Sequence, residues 1–129
     1  MISLFMTAFL LPTGCVLENK FANDPIQWSF LSGDGTWDSN SRRWTVYLRP
    51  GETKSVIIEL YNSSSIRTTV NVHLGGPPDT IVMLGGGRYL VLADGRTDIT
   101  LTAIAYAIAA PGSHRYTIDC SNSDNMIEP

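Results

Sequence analysis

From Trp44 onward the chain alternates apolar and polar residues with a period of two, and turn chemistry cuts each run short. This pattern restricts the fold more than any other feature, because successive side chains of a strand point to opposite faces and a half-buried sheet needs one apolar face. Trp44, Val46 and Leu48 fall on one side, with Thr45, Tyr47 and Arg49 on the other, before Pro50-Gly51. Val56, Ile58 and Leu60 oppose Ile57, Glu59 and Tyr61 and lead to Asn62-Ser63-Ser64-Ser65. Val70, Val72 and Leu74 repeat the device ahead of Gly75-Gly76-Pro77-Pro78.

Residues 80–84 and 88–92 flank a Gly85-Gly86-Gly87 turn, and Asp94-Gly95 is a strong tight-turn signal. Residues 98–108 read as one long strand in which Ile99 and Leu101 face inward, after which Ile104, Tyr106 and Ile108 carry the apolar phase. Such a switch predicts a bulge or a strand that crosses between sheets. A helix over 99–110 competes through its alanines, but the β-branched Ile and Thr and the following Pro111-Gly112 favour a strand. Tyr116, Ile118 and Cys120 alternate on the last strand. About seven short strands with turns at roughly 8–12-residue spacing specify an all-β fold, an antiparallel β-sandwich.

Residues 16–43 differ: Trp28, Phe30 and Trp37 are scattered among Gly, Asp, Asn and Ser with no sustained period. They read as an irregular lead-in holding one strand near 26–31. The sandwich proper is expected over 44–120, with a polar, frayed tail over 121–129.

The 129 residues suffice for one domain with its own core. Charged residues make up 16%, well under the roughly 25% of an average soluble protein, which suits an exported β-protein. With a net charge of −3 and no basic cluster beyond Arg42-Arg43, nucleic acid is not expected as a partner, since phosphate binding rests on clustered cations.

Residues 2–11 form an apolar run broken only by Ser3 and Thr7. It is too short for a membrane span of ~20 residues and matches the apolar region of a signal peptide. Leu11-Pro12-Thr13-Gly14-Cys15 resembles the box ahead of the lipidated cysteine in bacterial lipoproteins, although Pro12 replaces the usual leucine and no Lys or Arg precedes the run. Residues 1–15 therefore read either as a signal peptide with lipobox or as an apolar first segment of the domain. Three fates remain open for Cys15: lipidation with membrane anchoring, a disulfide to Cys120 in an oxidising compartment, or burial as a thiol.

Two stretches carry a family resemblance. Leu48-Arg49-Pro50-Gly51-Glu52-Thr53-Lys54-Ser55-Val56, with Leu60-Tyr61-Asn62-Ser63-Ser64 downstream, has a Pro-Gly turn leading into a strand that ends at an Asn. Ala110-Pro111-Gly112-Ser113-His114-Arg115-Tyr116-Thr117-Ile118 opens the final strand on a second Pro-Gly turn. Together they resemble the immunoglobulin-like accessory modules of exported bacterial and archaeal proteins, over roughly residues 44–120. The resemblance implies an immunoglobulin-like sandwich serving as a spacer, adhesion module or packing unit without chemistry of its own.

Asp34, Asp38 and Asn40 surround Gly35 with oxygen side chains suited to calcium, but the bidentate Glu of an EF-hand loop is missing. A solvated turn is the simpler reading, and neither metal nor cofactor is expected. Trp28 and Trp37, with Trp44, Tyr47 and Tyr61, could build a platform for sugar rings, flanked by Asp34, Asp38 and Asn40 as hydrogen-bonding groups. The simpler reading puts Trp44 in the core and Trp28 over a sheet edge. His73 and His114 lie opposite the apolar face, and no nucleophile elbow or marked pair of acids is present, so no enzyme is expected. Asn62-Ser63-Ser64 fits the glycosylation sequon.

The expected function is a non-catalytic extracellular structural or binding module at a cell surface, meeting a protein or glycan. One alternative is a subunit of a repeating surface filament or virion, a homo-oligomer in which residues 2–11 add as a strand to a neighbour. A carbohydrate-binding module is the other.

Overall fold

A computed structural model describes residues 23–77, 80–107, 111–122 and the backbone of 126–127. Ten strands are described: β1 (Ile26–Gly33), β2 (Thr36–Asp38), β3 (Arg43–Leu48), β4 (Thr53–Asn62), β5 (Thr68–Gly75), β6 (Ile81–Leu84), β7 (Gly87–Val91), β8 (Arg96–Ala105), β9 (His114–Asn122) and β10 (Met126–Ile127). The first sheet has the order β1-β4-β8-β6. The second runs β2-β3-β9-β5, and β5 also pairs with β7 and β10. Each of these pairings is antiparallel, so the chain is an all-β sandwich.

One apolar core lies between the sheets. The first sheet contributes Ile26, Trp28, Val56, Ile58, Leu60, Ile99, Leu101 and Ala103; the second contributes Trp44, Val46, Leu48, Val70, Val72, Tyr116, Ile118 and Cys120. From Trp44 onward these are the alternating positions that the period of two marks, Ala103 excepted. Each fully buried Leu or Ile stabilises the fold by about 1.5–3 kcal/mol relative to an exposed one.

The turns follow from their residues. Pro50 presets one angle, Gly51 adopts φ +79°, and the Glu52 N–H donates to the Arg49 carbonyl at 2.9 Å, as a type II turn requires. This turn carries the chain from the second sheet to the first. Asp94 takes a positive φ of 52°, and the Gly95 N–H closes the next corner onto the Leu92 carbonyl.

Several expectations are corrected. The strand expected near 26–31 is β1, which places Ile26 and Trp28 in the core, but residues 36–38 add β2, and there are more strands than about seven. The tail holds β10, whose backbone pairs with Thr68 and Thr69. No helix forms over the described part of 99–110, and the switch of phase is absent: Ile99, Leu101 and Ala103 are buried along one unbroken register with β4, and Ala105, opposite Ile81 of β6, continues it. Ile104 lies on the outer face opposite Val82. Two small alanines hold the inward positions there, which hid the phase. The bulge occurs instead in β1, where Leu31 is the extra residue between Phe30 and Ser32.

Candidate functional site

β1 and β2 are edge strands of different sheets, and the groups singled out for ligand binding meet where these edges approach. The Trp28 and Trp37 rings stack with centroids 6.1 Å apart and planes 7° from parallel. Trp28 is buried and Trp37 half-buried. Arg42 sits in the turn between β2 and β3 at φ 55°, 2% exposed, with its guanidinium carbon 5.2 Å from the centre of the Trp28 ring.

The Arg42 guanidinium donates to Asp24 Oδ2 at 3.2 Å, to Asn122 Oδ1 at 2.5 Å and to the Ile26 carbonyl at 2.8 Å. Asn122 Nδ2 donates to Asp24 Oδ2, and Trp28 Nε1 donates to Asn122 Oδ1, both at 3.2 Å. The Arg42 carbonyl accepts from the Cys120 N–H at 2.8 Å. One arginine thus connects the entry to β1, the β2–β3 turn and the end of β9. Burial lowers the Arg42 pKa and the Asp24 carboxylate opposes that shift; an arginine stays protonated throughout. A buried charge is tolerated only when paired and hydrogen-bonded, and this guanidinium is both.

Sequence reasoning missed Arg42, Asp24 and Asn122 as a group. The signal lay in the alternation: Arg42 is in phase with Trp44 and Val46, and Asn122 with Cys120 and Ile118. Both extend a core face past the end of its strand.

The structure separates the oxygens of residues 34–40. Asp34 Oδ2 accepts from the Ser55 N–H at 3.2 Å, while the Asp34 carbonyl accepts from Trp44 Nε1 at 2.8 Å. Asp38 Oδ1 accepts from the Asn40 N–H at 2.9 Å, an Asx turn, and Trp37 Nε1 donates to Ser39 Oγ at 3.0 Å. The Asp38 carboxylate closes a turn, and the Asp34 carboxylate ties the β1–β2 connection to β4. Among the described residues no group of three or more His, Cys, Asp or Glu is placed to hold a metal ion.

Asn62 is not at an exposed loop tip, and the glycosylation reading is corrected. Its side chain is fully buried; Nδ2, the atom a glycan would be joined to, donates to the Ile66 carbonyl at 2.9 Å and the Val91 carbonyl at 3.1 Å. Oδ1 accepts from the Ser64 N–H at 3.0 Å and the Ser64 hydroxyl at 2.7 Å. Cys120 is buried and has no disulfide partner among the described residues, and burial pushes its thiol pKa up to about 12. Cys15 and residues 2–11 lie outside the described residues.

Of the other aromatics, Trp44 is in the core and Tyr61 is covered by Arg96 at 4.4 Å, its hydroxyl donating to Asp94. Tyr47 is 54% exposed. His73 lies opposite Ser121 in the β5–β9 pair, and the His114 ring bonds the Pro111 carbonyl. An open depression of about 490 Å³ lies beside His73, lined also by Asn71, Gly87 and Arg88, with Arg88 Nε already donating to Asn71 Oδ1.

Among the described residues no helix is long and apolar enough to cross a membrane. Comparison with family models, curated proteins and solved structures gave no match.

Proposed function

We propose that this β-sandwich is a non-catalytic structural and binding module at a cell surface, working by packing against a partner rather than by transforming a substrate. The observation that carries this reading is the closed network of Asp24, Arg42, Asn122, Trp28 and Trp37. Charge, amide and aromatic groups of the kind a ligand would need are used here to fasten two sheet edges. Export is supported by the low charged fraction and by the apolar run of residues 2–11 ahead of Cys15; lipid attachment at that cysteine belongs to the same proposal. The Pro50-Gly51 turn between the sheets supports the immunoglobulin-like resemblance.

A protein partner is favoured over a glycan, because Trp28 and Trp37 cover each other instead of presenting an open platform. The test compares wild type with Trp37→Ala for thermal stability and for binding on a glycan array. The expected result is lower stability in the variant and no glycan retained by wild type. A glycan bound by wild type and lost in Trp37→Ala at unchanged stability would overturn the proposal in favour of a carbohydrate-binding module.

A further inference from the structure

Asn62-Ser63-Ser64 is a glycosylation sequon whose asparagine the fold buries. Asn62 ends β4, and its Nδ2, which has two hydrogens, donates to the Ile66 carbonyl at 2.9 Å and the Val91 carbonyl at 3.1 Å. Its backbone N–H donates to the Gly95 carbonyl at 2.9 Å. Ile26 of β1 lies opposite Asn62, and the adjacent Thr68–Val91 pair joins β5 to β7. Ile26, Thr68 and Val91 are all buried. Strands β1, β4, β5 and β7 thus meet around one primary amide.

Joining a glycan there changes both the hydrogen bonds and the space. Transfer from a sugar carried on a lipid pyrophosphate forms a bond between Nδ2 and the sugar C1; the C1–O bond breaks, the pyrophosphate leaves with its electron pair, and one Nδ2 proton is released. A single Nδ2 hydrogen then remains for two carbonyls, and one bond goes unmade. The sugar is bulky and hydrated and has to reach solvent. Nδ2 faces the Val91 carbonyl and, at 3.5 Å, Thr68 Oγ1, so a sugar on it forces these residues apart and opens the β5–β7 pair. The order of synthesis gives the fold no time to protect the site. Val91 follows Asn62 by 29 residues, and chains emerge N-terminus first. In a chain threaded unfolded across a membrane, the sequon passes a sugar-transferring enzyme before the residues that cover it.

We infer that a glycan on Asn62 and this fold are mutually exclusive, and that the chain reaches its destination by a route that adds no asparagine-linked sugars. The second half deepens the exported-module reading and rests on it, by naming the kind of export route. The exclusion itself rests on the buried corner alone.

The test expresses the full chain behind a cleavable signal in a eukaryotic secretory host, as wild type, as Ser64→Thr to raise sequon use and as Ser64→Ala to abolish it. The same three chains are made in a bacterial cytosol, where all are expected to fold with similar thermal midpoints, because the Ser64 N–H stays on Asn62 Oδ1 in each. In the secretory host the glycan should be found only on retained, unfolded wild type. Ser64→Thr should lower the secreted yield about twofold or more, and Ser64→Ala should raise it by as much. Folded, secreted protein with a glycan on Asn62 overturns the exclusion. Wild type and Ser64→Thr that are secreted with no glycosylated fraction, or a yield that neither variant changes, overturn the route. Wild type and Ser64→Thr carry the exclusion between them, so it does not depend on the stability of Ser64→Ala. None of these outcomes bears on the glycan array of the preceding test, which reads sugars bound rather than sugars joined.

Discussion

Trp28 of β1 lies nearly parallel to Trp37 of β2, ring centres 6.1 Å apart, although the two strands belong to different sheets. The stack closes one long margin of the sandwich, and Arg42 backs it from the Trp28 side. The two tryptophans that most invited a binding role are each other's cover.

Removing one ring exposes the other. Trp37→Ala is expected to cost about 2 kcal/mol, from lost packing and the stacking contribution. The urea midpoint should fall, and tryptophan emission should move to longer wavelength as Trp28 meets water.

Asn62 holds a corner through both ends of its amide. Asn62→Ala leaves the buried Val91 carbonyl without this donor and removes one of the donors to the Ile66 carbonyl, which Thr68 Oγ1 also reaches, a loss of about 2 kcal/mol. Asn62→Asp should be worse, because a carboxylate would face those carbonyls; denaturant unfolding of the two variants measures the order.

The Cys120 thiol has its pKa raised from 9.0 to about 12 in the folded state. A raised folded pKa means that this group's contribution is fully present below pH 9 and is lost as pH climbs from 9 toward 12. Cys120→Ala should flatten the fall of stability across that window relative to wild type. In a Cys15→Ser background, thiol reagents should modify Cys120 only as fast as the domain unfolds.

Gly33 crosses close to β4 at φ +124°, where an added Cβ would sit 2.6 Å from both the Ser55 carbonyl oxygen and the Val56 Cα. Gly33→Ala is expected to cost about 2 kcal/mol or more, read as a lower thermal midpoint.

The sandwich was legible wherever large apolar residues alternate: Trp44-Val46-Leu48, Val56-Ile58-Leu60 and Tyr116-Ile118-Cys120 all lie inward as their spacing indicates. It was illegible where small or polar residues hold the inward positions. Ala103 and Ala105 carry too little apolar signal to outweigh Ile104, which faces out beside Val82. Residues 26–38 lose their period at a bulge and at a turn through Gly35, so β1 was legible only over about 26–31 and β2 was not read. The clasp was hidden for a related reason. Arg42, Asn62 and Asn122 occupy core-phase positions at strand ends, where a polar side chain reads as the start of a loop; only the folded chain shows the partners that make burial tolerable.

The most direct measurement is equilibrium urea unfolding of Arg42→Met against wild type. If the cluster exists to fasten the sheets, removing the guanidinium takes the counter-charge from Asp24, which keeps only the Ile26 N–H and the Asn122 amide, and stability should drop by about 3 kcal/mol. Arg42→Lys should recover little of it, since an ammonium cannot span Asp24, Asn122 and the Ile26 carbonyl together. A variant as stable as wild type, or more so, would contradict the structural role and mark the cluster as a site kept for a ligand.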